Sequence, residues 1–239
     1  MAELLSMKEL EKTFTMHYLH GEHIVGCKNI SFDLNEGEFI GITGKSGAGK
    51  STILKTIYRT YLPTGGQLIF HSDQFGPIDI IKATEREMIA LRKKEIGYVS
   101  QFLNVMPRVT ALEVVMDAIL EMGIEGEEAE EKAKNILSHF RLQESLWNSF
   151  PKTFSGGEKL RLNLAQAMVK KPKLLLLDEP TASLDDASKQ SVKEMIEQLK
   201  QSGTSMIGIF HDLEFMEKVV DSHYHLENGV LYKKMAVAE

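Results

Sequence analysis

The sequence predicts an α/β fold in which a mostly parallel central sheet is covered by helices on both faces. Three observations support this class. Short apolar strand candidates alternate with amphipathic helix candidates along most of the 239 residues, and such alternation is typical of parallel sheets. A glycine-rich loop connects one strand candidate directly to a helix. Between about residues 110 and 170 the apolar spacing indicates helices only, so we expect a helical insertion in the sheet-based core.

The first hundred residues predict an antiparallel β part, a strand–loop–helix unit and further strands. Gly21 suggests the turn of an N-terminal hairpin, with a longer connection as the alternative. The predicted elements are strands 4–14, 27–34 and 38–44, helix 50–62, a hairpin of strands 67–70 and 77–81, helix 83–94 and strand 96–100. We therefore expect an N-terminal antiparallel β subdomain beside the core.

The second half of the chain returns to strands after its helical stretch. The predicted elements are helices 110–123, 127–140 and 158–171, strand 173–179, helix 188–203, strand 204–210 and a short helix after His211. Asn228-Gly229 is a strong signal for a two-residue hairpin turn between the last two strands. We interpret the chain as one domain over 1–239, with a core of 1–101 and 171–239 and a helical part at about 102–170.

Composition excludes several classes of protein. Hydrophobic residues make up 43% and charged residues 26% of the chain, the usual mixture for a globular protein. No apolar run approaches the roughly 18–20 residues that span a bilayer, and the charged N-terminal residues do not resemble a signal peptide. The single Cys27 excludes an internal disulfide and a cysteine-rich metal site. We expect a soluble, cytoplasmic protein that meets a membrane only through a partner.

The charge balance argues against nucleic-acid binding. The net charge is −6, and no basic face of the kind that nucleic acids require is visible. The most acidic block, 125–134, also holds two lysines and is typical of a solvated helix face. We therefore expect no nucleic-acid partner.

The strongest chemical signal is a phosphate-binding loop. Residues 44–51 match G-x-x-x-x-G-K-[ST], with an apolar strand before them and a helix after them. Glycines let backbone N–H groups turn toward a polyphosphate, and the helix N-terminus favours negative charge. Lys50 adds a positive charge for the outer phosphates, and the Ser51 hydroxyl is a candidate ligand of Mg²⁺. The predicted nucleotide-binding residues here are Gly44, Lys45, Ser46, Gly47, Ala48, Gly49, Lys50, Ser51 and Thr52.

A second signal lies at the end of the most apolar strand. Four leucines, 174–177, precede Asp178 and Glu179, and open α/β sheets bind ligands at the carboxyl ends of their strands. Asp178 is placed to reach Mg²⁺ through its water shell, and Glu179 to act as the general base for an attacking water. A helix-capping acidic pair is the alternative interpretation, and the phosphate loop in the same chain argues against it.

A third motif, Phe154-Ser155-Gly156-Gly157-Glu158, opens the predicted helix 158–171. A serine with two glycines at a helix N-terminus is a candidate anion site. Since one phosphate loop serves the chain's own nucleotide, this second site suggests a nucleotide held by another subunit. Ser155 and Glu158 also fit an ordinary capping box, which is the alternative.

Together these motifs resemble those of the ATP-binding-cassette (ABC) ATPases, in the same order and over essentially the whole chain. Residues 44–51 correspond to the Walker A motif, LLLLDE to Walker B, and FSGGE to the family signature LSGGQ. The segment 182–185 is similar to the D-loop, Gln101 to the glutamine after a core strand, and His211 to the switch histidine. Phe and Glu replace the family's Leu and Gln in the signature, and neither change removes a phosphate donor.

The resemblance implies a Mg²⁺-dependent ATPase that works as a head-to-tail dimer, either a homodimer or a heterodimer with a second ABC ATPase. Two ATP molecules would lie between the Walker A loop of one subunit and the signature and Asp185 of the other. Gln101 would contact Mg²⁺ and the attacking water, and His211 the γ-phosphate. Phe14, or else Tyr18, would stack on adenine.

Several stretches resemble a narrower group, the PhnL-type ATP-binding subunits of the phosphonate C–P lyase system. Two features of this chain suggest the narrower group. One is Phe210 before the switch histidine, where transporter cassettes commonly have Thr, and the other is the segment 102–107. This implies a role in phosphonate catabolism, in the formation of ribose 1-methylphosphonate 5-triphosphate, with subunits of the C–P lyase core complex as partners. Phe102 and Met106 would anchor that partner. Two alternatives stay open: the ATPase of a lipoprotein-release or export transporter, and a slow regulatory ATP clamp. A third, a translation-type cassette protein, normally has two cassettes and basic linkers, and the single acidic cassette argues against it.

Overall fold

The computed structural model describes residues 2–16, 22–101, 106–182 and 184–234. The predicted turn at Gly21 lies outside these residues, as do Tyr18, Ser183 and the segment 102–105. Within the described ranges, no helix combines the length and the apolar character needed to cross a membrane.

Ten strands and seven α-helices make up the described part of the chain. The strands are β1 (Glu3–Met16), β2 (Glu22–Asn35), β3 (Phe39–Gly44), β4 (Gly65–Ser72), β5 (Gly76–Asp79), β6 (Ile96–Val99), β7 (Leu174–Asp178), β8 (Ser205–Ile209), β9 (Ser222–Glu227) and β10 (Val230–Lys234). The helices are α1 (Lys50–Ile57), α2 (Glu85–Lys94), α3 (Ala111–Leu120), α4 (Gly126–His139), α5 (Gly156–Met168), α6 (Asp186–Gln201) and α7 (Leu213–Glu217). This order of strands and helices is the predicted one, with two short 3₁₀ helices added before α5.

The strands form an antiparallel sheet and a central sheet. The antiparallel sheet has the order β2-β1-β4-β5, and the central sheet has the order β10-β9-β3-β8-β7-β6. In the central sheet β6, β7, β8, β3 and β9 run parallel, whereas β10 pairs antiparallel with β9 across the Asn228-Gly229 turn. The predicted α/β class, with a mostly parallel core sheet and an antiparallel β part, is confirmed.

The two faces of the central sheet pack into two separate hydrophobic cores. Side chains alternate between the faces of a strand, and β7 shows the consequence. Leu174 and Leu176 pack toward the antiparallel sheet, α1 and α2, whereas Leu175 and Leu177 pack toward α3 to α7. The leucine run therefore reflects a central strand that is covered on both sides.

The helices α3, α4 and α5 pack against one another, and one buried polar residue connects them to the core. Asn163 on α5 is only 6% exposed. Its Nδ2 donates a hydrogen bond to the carbonyl of Ser100, at 2.9 Å, in the loop that follows β6. The helix that begins with the signature segment is thereby tied to the loop that carries Gln101.

Helix α1 ends at Ile57 rather than at the predicted residue 62. Arg59 has a left-handed backbone, with φ 56°. The N–H groups of Arg59 and Thr60 donate to the carbonyls of Thr56 and Lys55, which is the Schellman arrangement that usually has glycine at the left-handed position. Because arginine occupies that position, the sequence gives no signal for the end of the helix.

We expect Leu176→Ala to lower the free energy of unfolding by about 2–5 kcal/mol, because it opens a cavity at a fully buried side chain. The same change at Leu120, which is 44% exposed at the end of α3, should cost less than about 1 kcal/mol. Chemical denaturation followed by circular dichroism measures both values. Equal losses at the two positions would contradict the burial of Leu176 in the core beside the antiparallel sheet, α1 and α2.

Candidate active site

The phosphate loop lies between the end of β3 and the start of α1, and its glycines are required by its geometry. The φ angles are 149° at Gly44, 77° at Gly47 and 102° at Gly49, a region that disfavours residues with a Cβ. A Cβ at Gly49 would collide with the carbonyl oxygen of Gly26 on β2, and one at Gly44 with the carbonyl oxygen of Leu226 on β9. The loop is therefore fixed by close contact with two strands.

Lys50 lies against the loop that precedes it. The residue is 5% exposed, and its Nζ donates hydrogen bonds to the carbonyls of Gly44 at 2.8 Å and Lys45 at 3.0 Å. Burial lowers the pKa of the Lys50 ammonium, and the negative charges of Glu179 and Asp178 oppose this shift. The loop thus contains a poorly hydrated positive charge, which attracts phosphate oxygens strongly.

Asp178 ends β7 and is held through both of its carboxylate oxygens. Oδ1 accepts a hydrogen bond from Ser51 Oγ at 3.0 Å, and Oδ2 accepts one from the Tyr98 hydroxyl at 2.8 Å. Ser51 belongs to the first turn of α1, and Tyr98 lies on β6 beside β7. The structure therefore brings Ser51 and Asp178 together across the sheet edge.

Glu179 lies in direct contact with the two other residues that the sequence resemblance implies as catalytic. Its Oε2 accepts a hydrogen bond from Gln101 Nε2 at 2.8 Å, and its Oε1 lies 2.7 Å from His211 Nε2. The side chain of Glu179 is 16% exposed and that of His211 is 50% exposed. The backbone of Glu179 is left-handed, with φ 55°, and such strain concentrates at functional sites.

The residues expected to bind Mg²⁺ have suitable chemistry. Mg²⁺ prefers oxygen ligands and takes only one or two carboxylates from a protein. Ser51 Oγ and Asp178 Oδ1 are within 3.0 Å of each other. The third candidate, Gln101, adds an amide oxygen on a side chain whose nitrogen is held by Glu179. A hydroxyl, a carboxylate and an amide on one sheet edge fit a magnesium ion bound to a polyphosphate.

Phe14, the residue expected to stack on adenine, lies on β1 beside the start of α1. A Cβ at Gly26 would come within 2.6 Å of Phe14 Cε2 and 3.2 Å of Thr52 Cγ2, so the ring and Thr52 adjoin the same glycine. The ring also contacts Tyr61 edge-on, with 5.1 Å between centroids. An aromatic ring therefore lies next to the phosphate loop, where the adenine contact is expected.

The FSGGE segment caps helix α5. Ser155 is the N-cap, because its Oγ accepts a hydrogen bond from Glu158 N at 3.4 Å and Glu158 Oε2 accepts one from Ser155 N at 2.7 Å. The capping box that the sequence allows is therefore formed. Ser155 and Gly156 are exposed, whereas Phe154 is buried. The segment thus presents its polar backbone to solvent and is anchored by the aromatic ring.

Asp185 caps helix α6 close to the signature segment. Its Oδ1 accepts a hydrogen bond from Ser188 N at 2.8 Å, and hydrogen bonding with Ser188 lowers the pKa of the Asp185 carboxyl. A Cβ at Gly157 would lie 3.1 Å from Ser188 Oγ. The starts of α5 and α6 are therefore neighbours within one chain.

Two residues that support the site carry no signal in the sequence. Tyr98 holds Asp178, as described above, but its contact depends on the pairing of β6 with β7. Lys189 on α6 pairs with Asp212 at 2.6 Å, next to His211, and Asp212 also caps α7. These contacts join strands and helices that are distant in the chain, so no local pattern indicates them.

Comparison with known proteins identifies the family. The model of the ABC transporter family matches residues 27–182. The chain belongs to the ABC transporter family. It is accordingly an ATP-binding, ATP-hydrolysing enzyme.

Individual members of the ABC family match along most of the chain. The lipoprotein-releasing system ATP-binding protein LolD of Aquifex aeolicus is 34% identical, over 91% of this chain and 91% of LolD. The putative hemin import ATP-binding protein HrtA of Staphylococcus haemolyticus is 35% identical, over 91% of this chain and 96% of HrtA. A dimeric, post-hydrolysis structure of the cassette MJ0796 of Methanocaldococcus jannaschii, bound to ADP and Pi, covers 98% of this chain and 100% of its own, with 29% identity and a TM-score of 0.86.

The expected role in the phosphonate C–P lyase system, with its core complex as partner, is wrong. LolD proteins of several bacteria, each described as the ATP-binding protein of a lipoprotein-releasing system, are among the relatives that match most of the chain. Phe210, which suggested the lyase group, is 1% exposed and packs between Phe39 and Phe215 at 5.9 and 6.1 Å. A core residue of this kind reflects packing behind His211 and says nothing about a partner.

We expect Gly49→Ala to weaken ATP binding about tenfold or more, because the new Cβ would push the loop away from Gly26 and misplace the N–H groups. Gly123→Ala is a matched control, since Gly123 also has a positive φ, 83°, but no atom lies within 4 Å of its added Cβ. Equilibrium titration with a fluorescent ATP analogue measures the dissociation constant of each variant, and the Gly123 variant should bind like the wild type. Tight binding by the Gly49 variant would contradict the geometry of the loop.

Proposed function

We propose that this ABC ATPase drives a transporter of the lipoprotein-release or related export type. The observation that carries the proposal is the match with LolD proteins along about nine-tenths of the chain. Their described role is that of the ATP-binding protein of a lipoprotein-releasing system. The transporter alternative that the sequence allows is therefore preferred, with a membrane-spanning protein as partner.

In this proposal one ATP lies along residues 44–52 of each chain. The loop N–H groups and Lys50 bind the phosphates, and Phe14 stacks on the adenine. Ser51, Gln101 and Asp178 hold Mg²⁺, which when bound neutralises charge on the transferred phosphoryl group. The contact of Ser51 with Asp178 and the contact of Lys50 with its own loop support this assignment.

Glu179 is the proposed general base for ATP hydrolysis. Its carboxylate accepts a proton from the attacking water, and Gln101 and His211 contact the water and the γ-phosphate. Each of these two residues binds one oxygen of Glu179, at 2.8 and 2.7 Å. The groups that would contact the attacking water and the γ-phosphate thus also set the orientation of the base.

We further propose that two cassettes, either identical copies or this chain with a second ABC ATPase, act as a head-to-tail dimer. Ser155, Gly156, Gly157, Glu158 and Asp185 of one subunit would face the nucleotide of the other. The likeness to the dimeric MJ0796 cassette and the exposure of Ser155 support this arrangement. In the same proposal the core is 1–101 with 171–239, and the helical part of about 102–170 carries the signature.

The membrane-spanning partner is proposed to dock on a groove with a cavity volume of about 510 Å³. Met106 is 76% exposed and Phe150 is 47% exposed, and an exposed apolar patch of this kind is typical of a protein interface. Phe102, the other expected anchor, lies outside the described residues. The groove is lined by Met106, Pro107, Arg108, Val109, Phe150, Pro151, Lys152, Thr153 and Lys159.

Replacing Glu179 by Gln should keep ATP binding but lower turnover about 100-fold or more, because the general base is lost. The unhydrolysed ATP should also hold two subunits together. Phosphate release measures turnover, and size-exclusion chromatography with ATP and Mg²⁺ measures the dimer.

Glu197→Gln provides the control for this change, since Glu197 lies on the surface of α6 and pairs only weakly with Lys193 at 3.7 Å. It should hydrolyse ATP like the wild type. Wild-type phosphate release by the Glu179 variant would show that another group activates the water.

Met106→Asp with Phe150→Asp should abolish copurification of the tagged chain with a membrane-spanning subunit from detergent-solubilised membranes, because charge would replace the apolar anchors. ATP binding by the isolated chain should be unchanged. Ile89→Asp, at a position on α2 that is 49% exposed, is the matched control and should copurify normally. Retention of the membrane subunit by the double variant would place the docking surface elsewhere.

A further inference from the structure

The position of Tyr98 follows from the register of two neighbouring strands. Tyr98 on β6 pairs with Leu176 on β7, and both side chains belong to the face of the sheet that packs toward α1. Asp178 lies two residues after Leu176 and so faces the same side. The Tyr98 hydroxyl therefore approaches the Asp178 carboxylate from within the sheet, whereas Ser51 approaches it from α1.

The ring of Tyr98 is held in place independently of Asp178. It packs against Tyr58, with 5.1 Å between ring centroids. Tyr58 is in turn held by Arg92, whose guanidinium lies 4.9 Å from the ring centroid and whose Nε donates to the Tyr58 carbonyl at 2.9 Å. The hydroxyl is thus a preorganised donor, and its position does not depend on the bond that it makes.

The two hydroxyls that hold Asp178 have different tasks. The Tyr98 hydroxyl donates to Oδ2 at 2.8 Å and has no proposed role at the metal. Ser51 differs, because its hydroxyl is also the proposed ligand of Mg²⁺ and must serve both partners.

We propose that Tyr98 is a positioning residue for the magnesium site: its hydroxyl fixes Asp178 Oδ2 so that Oδ1 faces Ser51. This inference rests on the proposed role of Ser51 and Asp178 in holding Mg²⁺. The two oxygens then have separate tasks. Oδ2 is held by the rigid aromatic pair at 2.8 Å, and Oδ1, at 3.0 Å from Ser51, is directed to the metal.

The test compares the affinity of the full-length protein for ATP with Mg²⁺ and with EDTA. The ratio of the two dissociation constants measures the contribution of the metal, apart from any effect on hydrolysis. Tyr98→Phe removes one hydroxyl and keeps the ring, and it should reduce this ratio about tenfold, the usual loss when a group that orients a metal ligand is removed. Binding in EDTA should stay within about twofold of the wild type.

Tyr58→Phe is the matched control, because it removes a hydroxyl from the adjacent ring and leaves the bond to Asp178 intact. It should bind like the wild type in both conditions, and thermal unfolding should show that both variants are folded. An unchanged ratio in Tyr98→Phe, with a reduced ratio in Asp178→Asn, would overturn the role of Tyr98 alone. An unchanged ratio in Asp178→Asn would overturn the proposed magnesium site itself.

Discussion

The parallel register of the central sheet is the constraint on which the site depends. Gly44 ends β3 and Asp178 ends β7, while Gln101 and His211 follow the ends of β6 and β8. Neighbouring strands lie about 4.8 Å apart, so side chains that follow these ends reach hydrogen-bond distance. The ladder of backbone hydrogen bonds that stabilises the sheet thereby also assembles the proposed catalytic edge.

Much of this arrangement could be predicted because local patterns determine it. The alternation of strands and helices gives the α/β class, and the glycines and Lys50 identify the phosphate loop from chemistry alone. Gln101 and His211 could be assigned only through family resemblance, since their meeting with Glu179 depends on the order of the strands. The hydrogen bond of Tyr98 could not be predicted, because it depends on strand register. For the partner, the sequence left a transporter open as an alternative but favoured the C–P lyase, partly because of Phe210, which proves to be a core residue.

Polar links between layers give the site its rigidity. Lys189 on α6 holds Asp212 beside His211 at 2.6 Å, and Asn163 on α5 holds the loop before Gln101. In each case a helix side chain contacts another segment: Asn163 binds a backbone carbonyl, and Lys189 binds the residue that caps α7. If α5 or α6 tilted, a single hydrogen bond or ion pair would pull on the loop that carries Gln101 or on the one that carries His211.

The left-handed backbone of Glu179 has a consequence for the evolution of such a chain. A residue with a Cβ loses about 1–2 kcal/mol in this conformation. The carboxylate offsets part of this cost through its contacts with Gln101 and His211. Glycine would relieve the backbone strain, but it would lose both contacts and the proposed base. Selection for turnover therefore retains a strained residue at a position where the backbone alone would favour glycine.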